Sequence, residues 1–419
     1  MTLKRKILLC AAGAAILGAM LTGCGATKAK EEIRVDMTPI ALRQVVFAEN
    51  SHARTVMWEL PQEVTATVEI RKKGDGNISS FPALSHFLEG SNGQDGRYIY
   101  EATPTNLLPD TAYEYRTRTG GSVSAWMPLH TAREDRFSAL IFPDSQSADY
   151  NVWKNTAEKG FATLPEAEFF IMMGDLVDNG ADESQWRRWF AAASPKISEI
   201  PVAPLMGNHE AYSLDWKACN PTRFLAHFAL PQNDDATLPE MFWSFDWGPV
   251  HFAVLNTDMP EIADLYPTLL SSQQEWLARD LAETKKPWRI VLMHRDPLQY
   301  RIEGRPERKE GFSDEGIAFM PIIEKAGADL VLSAHLHTYR NRGHIANFMR
   351  DEKGPLYILT GVAGDVRYPN LWTDHALDVV VAPQPETNNF LTLEASTDTL
   401  TLRTYRTDGV LLDTVELKK

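Results

Sequence analysis

At 419 residues the chain is long for a single average domain, so two globular units plus a targeting segment are expected. Hydrophobic residues make up 44% and charged residues 23%, an ordinary balance for a globular protein. The formal net charge of −14 excludes a broad basic surface, so no nucleic-acid-binding surface is expected.

Lys4, Arg5 and Lys6 precede the apolar run ILLCAAGAAILGAMLTGC, which fits an export signal. The run ends in Leu21-Thr22-Gly23-Cys24, which resembles the bacterial lipobox, whose cysteine becomes the lipidated first residue after cleavage. An uncleaved anchor is the alternative for a run almost long enough to span a bilayer. The expected layout is a lipoprotein signal peptide at 1–23, lipidation at Cys24 and a polar tether over 24–36. The mature protein is then extracytoplasmic, a bacterial lipoprotein held to the membrane by its anchor. With Cys10 in the signal and Cys24 lipidated, Cys219 stands alone, and the expectation is a small buried apolar residue without a disulfide.

From 37 to 133 the pattern is all-β. RQVVFAE, ARTVMWEL, ATVEIRKK, GRYIYEAT and AYEYRTRT are separated by Gly, Asn, Asp and Pro turns. Trp58 falls in an alternating strand, as a core aromatic does. Leu108-Pro109-Asp110-Thr111-Ala112-Tyr113 resembles the tyrosine corner of fibronectin type III sandwiches, in which the Tyr hydroxyl closes back on the preceding backbone. The segment has no His, Asp or Glu cluster and reads as a structural or substrate-shaping module.

After a joint near 133–136 strands alternate with helices through 137–419. FSALIFPD, AEFFIMMGDL, PVAPLMGNH, WRIVLMHR and DLVLSAHLH are apolar runs typical of strands buried on both faces. ESQWRRWFAAA and SSQQEWLARDLAET have helical periodicity. MFWSFDWGPVHFAVLNTD predicts a hairpin turning at Gly248-Pro249, and the tail from 388 adds further hairpin strands.

The chemistry lies in what ends each buried strand: Asp144-Ser-Gln146, Gly174-Asp175, Gly207-Asn208-His209, His294 and His335-Leu-His337. Ligands of open α/β folds gather at the carboxyl ends of strands, so these five ends should converge. Residues two apart on extended backbone point the same way, so 144/146 and 335/337 are each expected to supply two groups. Carboxylates, amide oxygens and imidazoles without thiolates suit Mn, Fe, Zn or Mg.

These five motifs, in this order, resemble the calcineurin-like metallophosphoesterases over 137–365. SFDWGPVHFAVLNTD, SSQQEWLARDL, PWRIVLMHRDPL and AHLHTYR are similar to connecting segments of the purple acid phosphatases, which also carry an N-terminal sandwich. The resemblance implies an N-terminal fibronectin III-like β-sandwich followed by an α/β four-layer αββα sandwich. It implies two divalent metal ions, one held by Asp144, Gln146, Asp175 and His337 and the other by Asn208, His294 and His335, with Asp175 bridging. His209 then assists the leaving group or stabilises the transition state, with Glu210 orienting it. Arg295, Tyr339 and Arg340 flank the ligands as candidate substrate contacts, with ordinary salt bridges as the alternative. The implied activity is hydrolysis of phosphate monoesters by a hydroxide bridging the metals. A phosphodiester or nucleotide substrate, or a catalytically degenerate cell-surface binding protein, are the alternatives. The loops at 212–240, 258–271 and 296–315 decide between substrates.

Three positions depart from the pattern. Gln146 stands for the usual His, which favours a harder ion such as Mn. Asp178 stands where purple acid phosphatases place their iron-binding Tyr, so no tyrosinate colour is expected. Ala334 replaces the Gly before His335-x-His337. The remaining histidines, His251 among them, are expected to pack or cap, and Asp246, Asp258 and Asp296 to sit in loops or turns.

Overall fold

The five apolar runs form the strands Arg136–Phe142, Phe169–Met172, Val202–Pro204, Trp288–Met293 and Leu330–Ser333. They lie in two sheets of a computed structural model that describes residues 36–419. The predicted export signal, Cys24 and the tether up to residue 35 lie outside the described residues.

In the first sheet Arg136–Phe142, Phe169–Met172 and Val202–Pro204 run parallel, flanked on one side by the C-terminal strands Asn389–Ser396, Thr399–Arg406 and Leu411–Lys418. In the second, Val250–Leu255, Trp288–Met293, Leu330–Ser333 and Leu356–Thr360 run parallel. Strand Trp243–Trp247 forms the predicted hairpin, with Trp247 opposite Val250. The inner faces meet through rings: Phe169 stacks on Trp247 at 4.3 Å and sits edge-on to Phe245 at 6.0 Å. Helices Tyr150–Thr163 and Glu183–Ala193 cover the first sheet, with Trp153 edge-on to Phe142 at 5.1 Å and stacked on Trp189 at 6.0 Å. Helices Leu269–Glu283 and Asp314–Lys325 pack beside the second. This is the expected αββα order. Asp149, Asp182 and Ser313 each accept a backbone N–H of the first turn they precede, satisfying groups the helix leaves orphaned.

The N-terminal β region packs Trp58 (fully buried, stacked on Tyr100 at 5.4 Å) against Val68, Ile70 and Tyr115 of a second sheet. The tyrosine corner is present: Leu108 N–H donates to the Tyr113 hydroxyl at 2.9 Å. This region does not close on itself. Its strand Ile40–Val45 pairs in parallel with Val202–Pro204, so one ten-stranded sheet runs through both regions. An edge strand on either side would leave ladder groups unpaired, and joining the sheets removes both edges. Tyr115 Oη and Gln44 Nε2 both donate to the Ser198 carbonyl, at 2.8 and 2.9 Å, across the junction.

Two sequence expectations change. Cys219 is half-buried rather than buried. Asp246 lies in strand Trp243–Trp247 rather than in a loop; Asp296 does sit in a loop, but buried, paired with Arg342 and bonded to Ser333 Oγ at 2.9 Å. His227 packs as expected, fully buried between Glu59 and Glu183, at 3.6 and 3.4 Å. His251 packs as expected, between Asp246 and Asp280 at 2.7 and 2.8 Å.

Candidate metal centre

The strand ends converge. Asp144, Asp175 and His337 offer donor atoms all within 4.8 Å of one another, and so do Asp175, His294 and His335. Asp175 belongs to both groups. The crossing is tight: Gly174 has φ +94°, and a Cβ there would lie 2.4 Å from His294 Nδ1. Asp175 itself has φ +47°, a strained conformation for a non-glycine residue. Glu210 holds it there, its carboxylate accepting the N–H groups of Asp175 and Leu176, each at 2.9 Å, and of Gly207 at 2.8 Å. Glu210 therefore braces the Asp175 loop and does not orient His209. That role falls to the Asp178 carbonyl, 2.5 Å from His209 Nδ1.

The imidazoles are set by what their second nitrogen does. His294 Nδ1 lies 2.8 Å from the Met173 carbonyl and His337 Nδ1 2.9 Å from that of Val366. Each Nδ1 therefore donates, and Nε2 is left facing inward, a common device for orienting metal ligands. His294 Nε2 then lies 3.1 Å from Asp175 Oδ2 and 3.3 Å from Asn208 Oδ1; His337 Nε2 lies 3.2 Å from Asp144 Oδ2. Burial pulls the His294 imidazole down, and the Asp175 carboxylate more than offsets that, raising it to about 10. Burial raises Asp175, but His294 and His209 hold it well below the usual carboxylate range. Burial, with His294 and Arg295 nearby, keeps His335 well below its ordinary value.

These residues fit a pair of cations. Among the described residues, Asp144 Oδ2, Gln146 Oε1 and His335 Nδ1 are buried without a hydrogen-bond partner. Buried acceptors left unmatched cost free energy unless something electropositive meets them. Lone pairs from carboxylate, amide and imidazole directed at one space suit a divalent cation with O and N ligands. Gln146 is buried with its amide oxygen among these orphans.

Extended alternation does not explain the 335/337 pair. His335 and His337 have φ +75° and +52°, and left-handed turns, not a strand, send them to different halves of the centre. Two candidate substrate contacts are not free for that role. The Tyr339 hydroxyl donates to Asp413 at 2.7 Å, and buried Arg340 pairs with Asp374 and Asp378 at 2.8 and 2.6 Å. Arg295 does reach the rim: Nη1 lies 3.3 Å from His335 Nε2, and Nη2 pairs with Glu261.

Several rim residues carried no sequence motif. Asp258 is buried 3.9 Å from Arg295 Nε, with neither carboxylate oxygen hydrogen-bonded among the described residues, and burial pushes it up to about 8 against the pull of His294 and Arg295. The Tyr368 ring lies 4.9 Å from that of His337. Tyr212 and Trp216 flank His209 at 5.6 and 6.1 Å. Their one sequence signal is position: two aromatics just after the Gly207-Asn208-His209 turn. A cavity of about 300 Å³ opens beside His335 and Arg295, lined also by Gln299, Arg308 and Trp372.

Two cation sites sharing one carboxylate at the strand ends of an αββα sandwich define a dinuclear metallophosphoesterase scaffold. Residues 139–339 match the calcineurin-like phosphoesterase family, and residues 43–133 match the purple acid phosphatase N-terminal domain. The chain is 24% identical over 345 residues to human acid phosphatase type 7, covering 74% of each. It is 27% identical over 210 residues to purple acid phosphatase 15 of Arabidopsis thaliana, covering 49% of this chain but 37% of that one. It spans well under half the length of several such plant relatives. Its fold matches a purple acid phosphatase from yellow lupin (TM-score 0.74, 19% identity, 91% of this chain and 74% of that one). It also matches PhoD (TM-score 0.60, 12% identity, 91% and 90%). The chain carries a calcineurin-like phosphoesterase domain behind a purple acid phosphatase N-terminal domain.

Proposed function

We propose that this chain is an exported, lipid-anchored hydrolase of phosphate monoesters that works with two divalent cations, Mn²⁺ preferred. The observation that carries this reading is the shared carboxylate of Asp175, within 4.8 Å of donors from both halves of the centre. Two cations bound there would lower the pKa of a coordinated water and screen the charge of the phosphoryl oxygens. Asp144, Gln146 and His337 would hold one of them, Asn208, His294 and His335 the other, with Asp175 between. His209, fixed through Nδ1 by the Asp178 carbonyl and with Nε2 4.0 Å from Asp175 Oδ2, is set to hand a proton to the leaving-group oxygen. Arg295, paired with Glu261, presents a guanidinium at the rim to an incoming anion. The Gln146 amide, a neutral oxygen donor, favours Mn²⁺ over softer ions.

The test is metal analysis of the purified chain with a paired assay on phenyl phosphate and bis(phenyl) phosphate. Two Mn²⁺ per chain and faster monoester turnover are expected. Faster diester turnover would make it a phosphodiesterase, and no turnover of either would sink the hydrolase reading. Export and anchoring are checked by radiolabelled palmitate incorporation, which Cys24→Ser should abolish.

A further inference from the structure

The loop after the Asn208–Ala211 turn carries an indole that packing does not account for. It is a small closed hairpin: Tyr212 bridges Ala218, Ser213 N–H donates to the Lys217 carbonyl at 2.8 Å, and Trp216 N–H to that of Ser213 at 2.9 Å. At its tip Trp216 is 55% exposed and has φ +61°. A bulky side chain in that backbone region is strained, and an exposed indole forgoes the burial that usually favours it. Strain of this kind clusters at ligand sites. The ring is not stranded far from the chemistry. It stands 6.1 Å from the imidazole of His209 and 6.1 Å from the Tyr212 ring. Tyr212 donates through its hydroxyl to Glu261 at 3.2 Å, and Glu261 pairs with Arg295. Trp216, Tyr212, Glu261 and Arg295 thus form one continuous side of the centre's mouth. Asp215 and Lys217 beside the indole neutralise each other at 2.5 Å, so the loop tip offers a flat ring rather than a net charge.

We propose that Trp216, backed by Tyr212, is the specificity-determining wall for the leaving group, and that it favours phosphomonoesters whose leaving group is a flat aromatic ring. The proposal rests on the hydrolase reading, in which His209 meets the leaving-group oxygen. Whatever leaves past His209 passes the indole. An aromatic group gains stacking there that an aliphatic alcohol cannot match. A phenol carries its ring next to the ester oxygen and a nucleoside carries it beyond a sugar, so the two test how far out the wall acts.

The experiment compares kcat/KM on phenyl phosphate, a nucleoside 5′-monophosphate and glycerol phosphate, for the full chain loaded with Mn²⁺. In Trp216→Ala the aromatic-to-aliphatic ratio should fall about tenfold for at least one aromatic substrate, and in Trp216→Phe it should stay near the parent value. An unmoved ratio in Trp216→Ala, or one lost equally in Trp216→Phe, overturns the proposal. Calorimetric binding of phenylphosphonate against methylphosphonate gives a readout without turnover. A preference for phenylphosphonate that disappears in Trp216→Ala supports the wall even if no ester is hydrolysed, the result that would sink the hydrolase reading alone. Equal affinities for the two phosphonates in the parent chain overturn the wall.

Discussion

His251 and His294 are both buried imidazoles beside carboxylates, yet their surroundings ask for different things. His251 puts both ring nitrogens within hydrogen-bond reach of acids, Asp246 at 2.7 Å and Asp280 at 2.8 Å. A protonated ring satisfies both and nothing is left over. His294 gives Nδ1 to a backbone carbonyl and turns Nε2 toward Asp175 and Asn208, at 3.1 and 3.3 Å. Around it, among the described residues, Asp144 Oδ2, Gln146 Oε1 and His335 Nδ1 have no hydrogen-bond partner. The first arrangement is a complete ion-pair triad. The second is complete only with cations, because a proton on one ring cannot serve that many acceptors. Proximity of His to Asp therefore does not mark a metal site; the use of the second nitrogen and the orphaned acceptors do.

The largest test of this contrast is Asp175→Asn, expected to lower kcat/KM by about a thousandfold or more and to reduce bound metal below two ions per chain. His251→Ala should leave metal content at the parent value, and loss of metal there would erase the distinction. Gln146→Ala should weaken one of the two cations by about ten- to a hundredfold in titration, and Gln146→His should shift preference toward Zn²⁺. Unchanged affinity in Gln146→Ala would remove the amide from the ligand set. The His251 triad should instead show in stability. Burial alone would lower this imidazole, but Asp246 and Asp280 raise it from 6.5 to about 9. Its contribution is full below pH 6.5 and is lost as pH rises through about 9. Denaturant titrations should find His251→Ala less stable than the parent by up to about 3 kcal/mol at pH 6, with the gap closing by pH 9.5. A gap that does not vary with pH would mean the ring is not charged. Metal should also act on the fold: saturating Mn²⁺ at a hundred times its Kd should stabilise the metal-stripped chain by about 2.7 kcal/mol per site, visible as a rise in Tm.

Much of the architecture was legible in the chain. Long apolar runs of strand length ending in Asp, Asn and His located the buried strands and the order of the donors, because hydrophobic periodicity and strand-end chemistry are local properties. Tyr113 closing on Leu108 is of the same kind, since both partners lie within one turn. The roles of Tyr339 and Arg340 were not legible. Tyr339 and Arg340 sit beside His337 in sequence, but their partners Asp413 and Asp378 lie 74 and 38 residues away, and no local pattern marks those pairings.

By itself, then, the sequence determined which residues could serve as donors and that they would meet at strand ends. It also determined that an amide stands where an imidazole is usual. Only the tertiary structure decided which nitrogen of each histidine faces inward, because that depends on distant carbonyls such as those of Met173 and Val366. It alone showed that Glu210 braces the Asp175 loop and that Trp216 stands beside His209. It alone joined the N-terminal strands to the central sheet. These are outcomes of packing between segments remote in the chain, where geometry rather than composition chooses the partner.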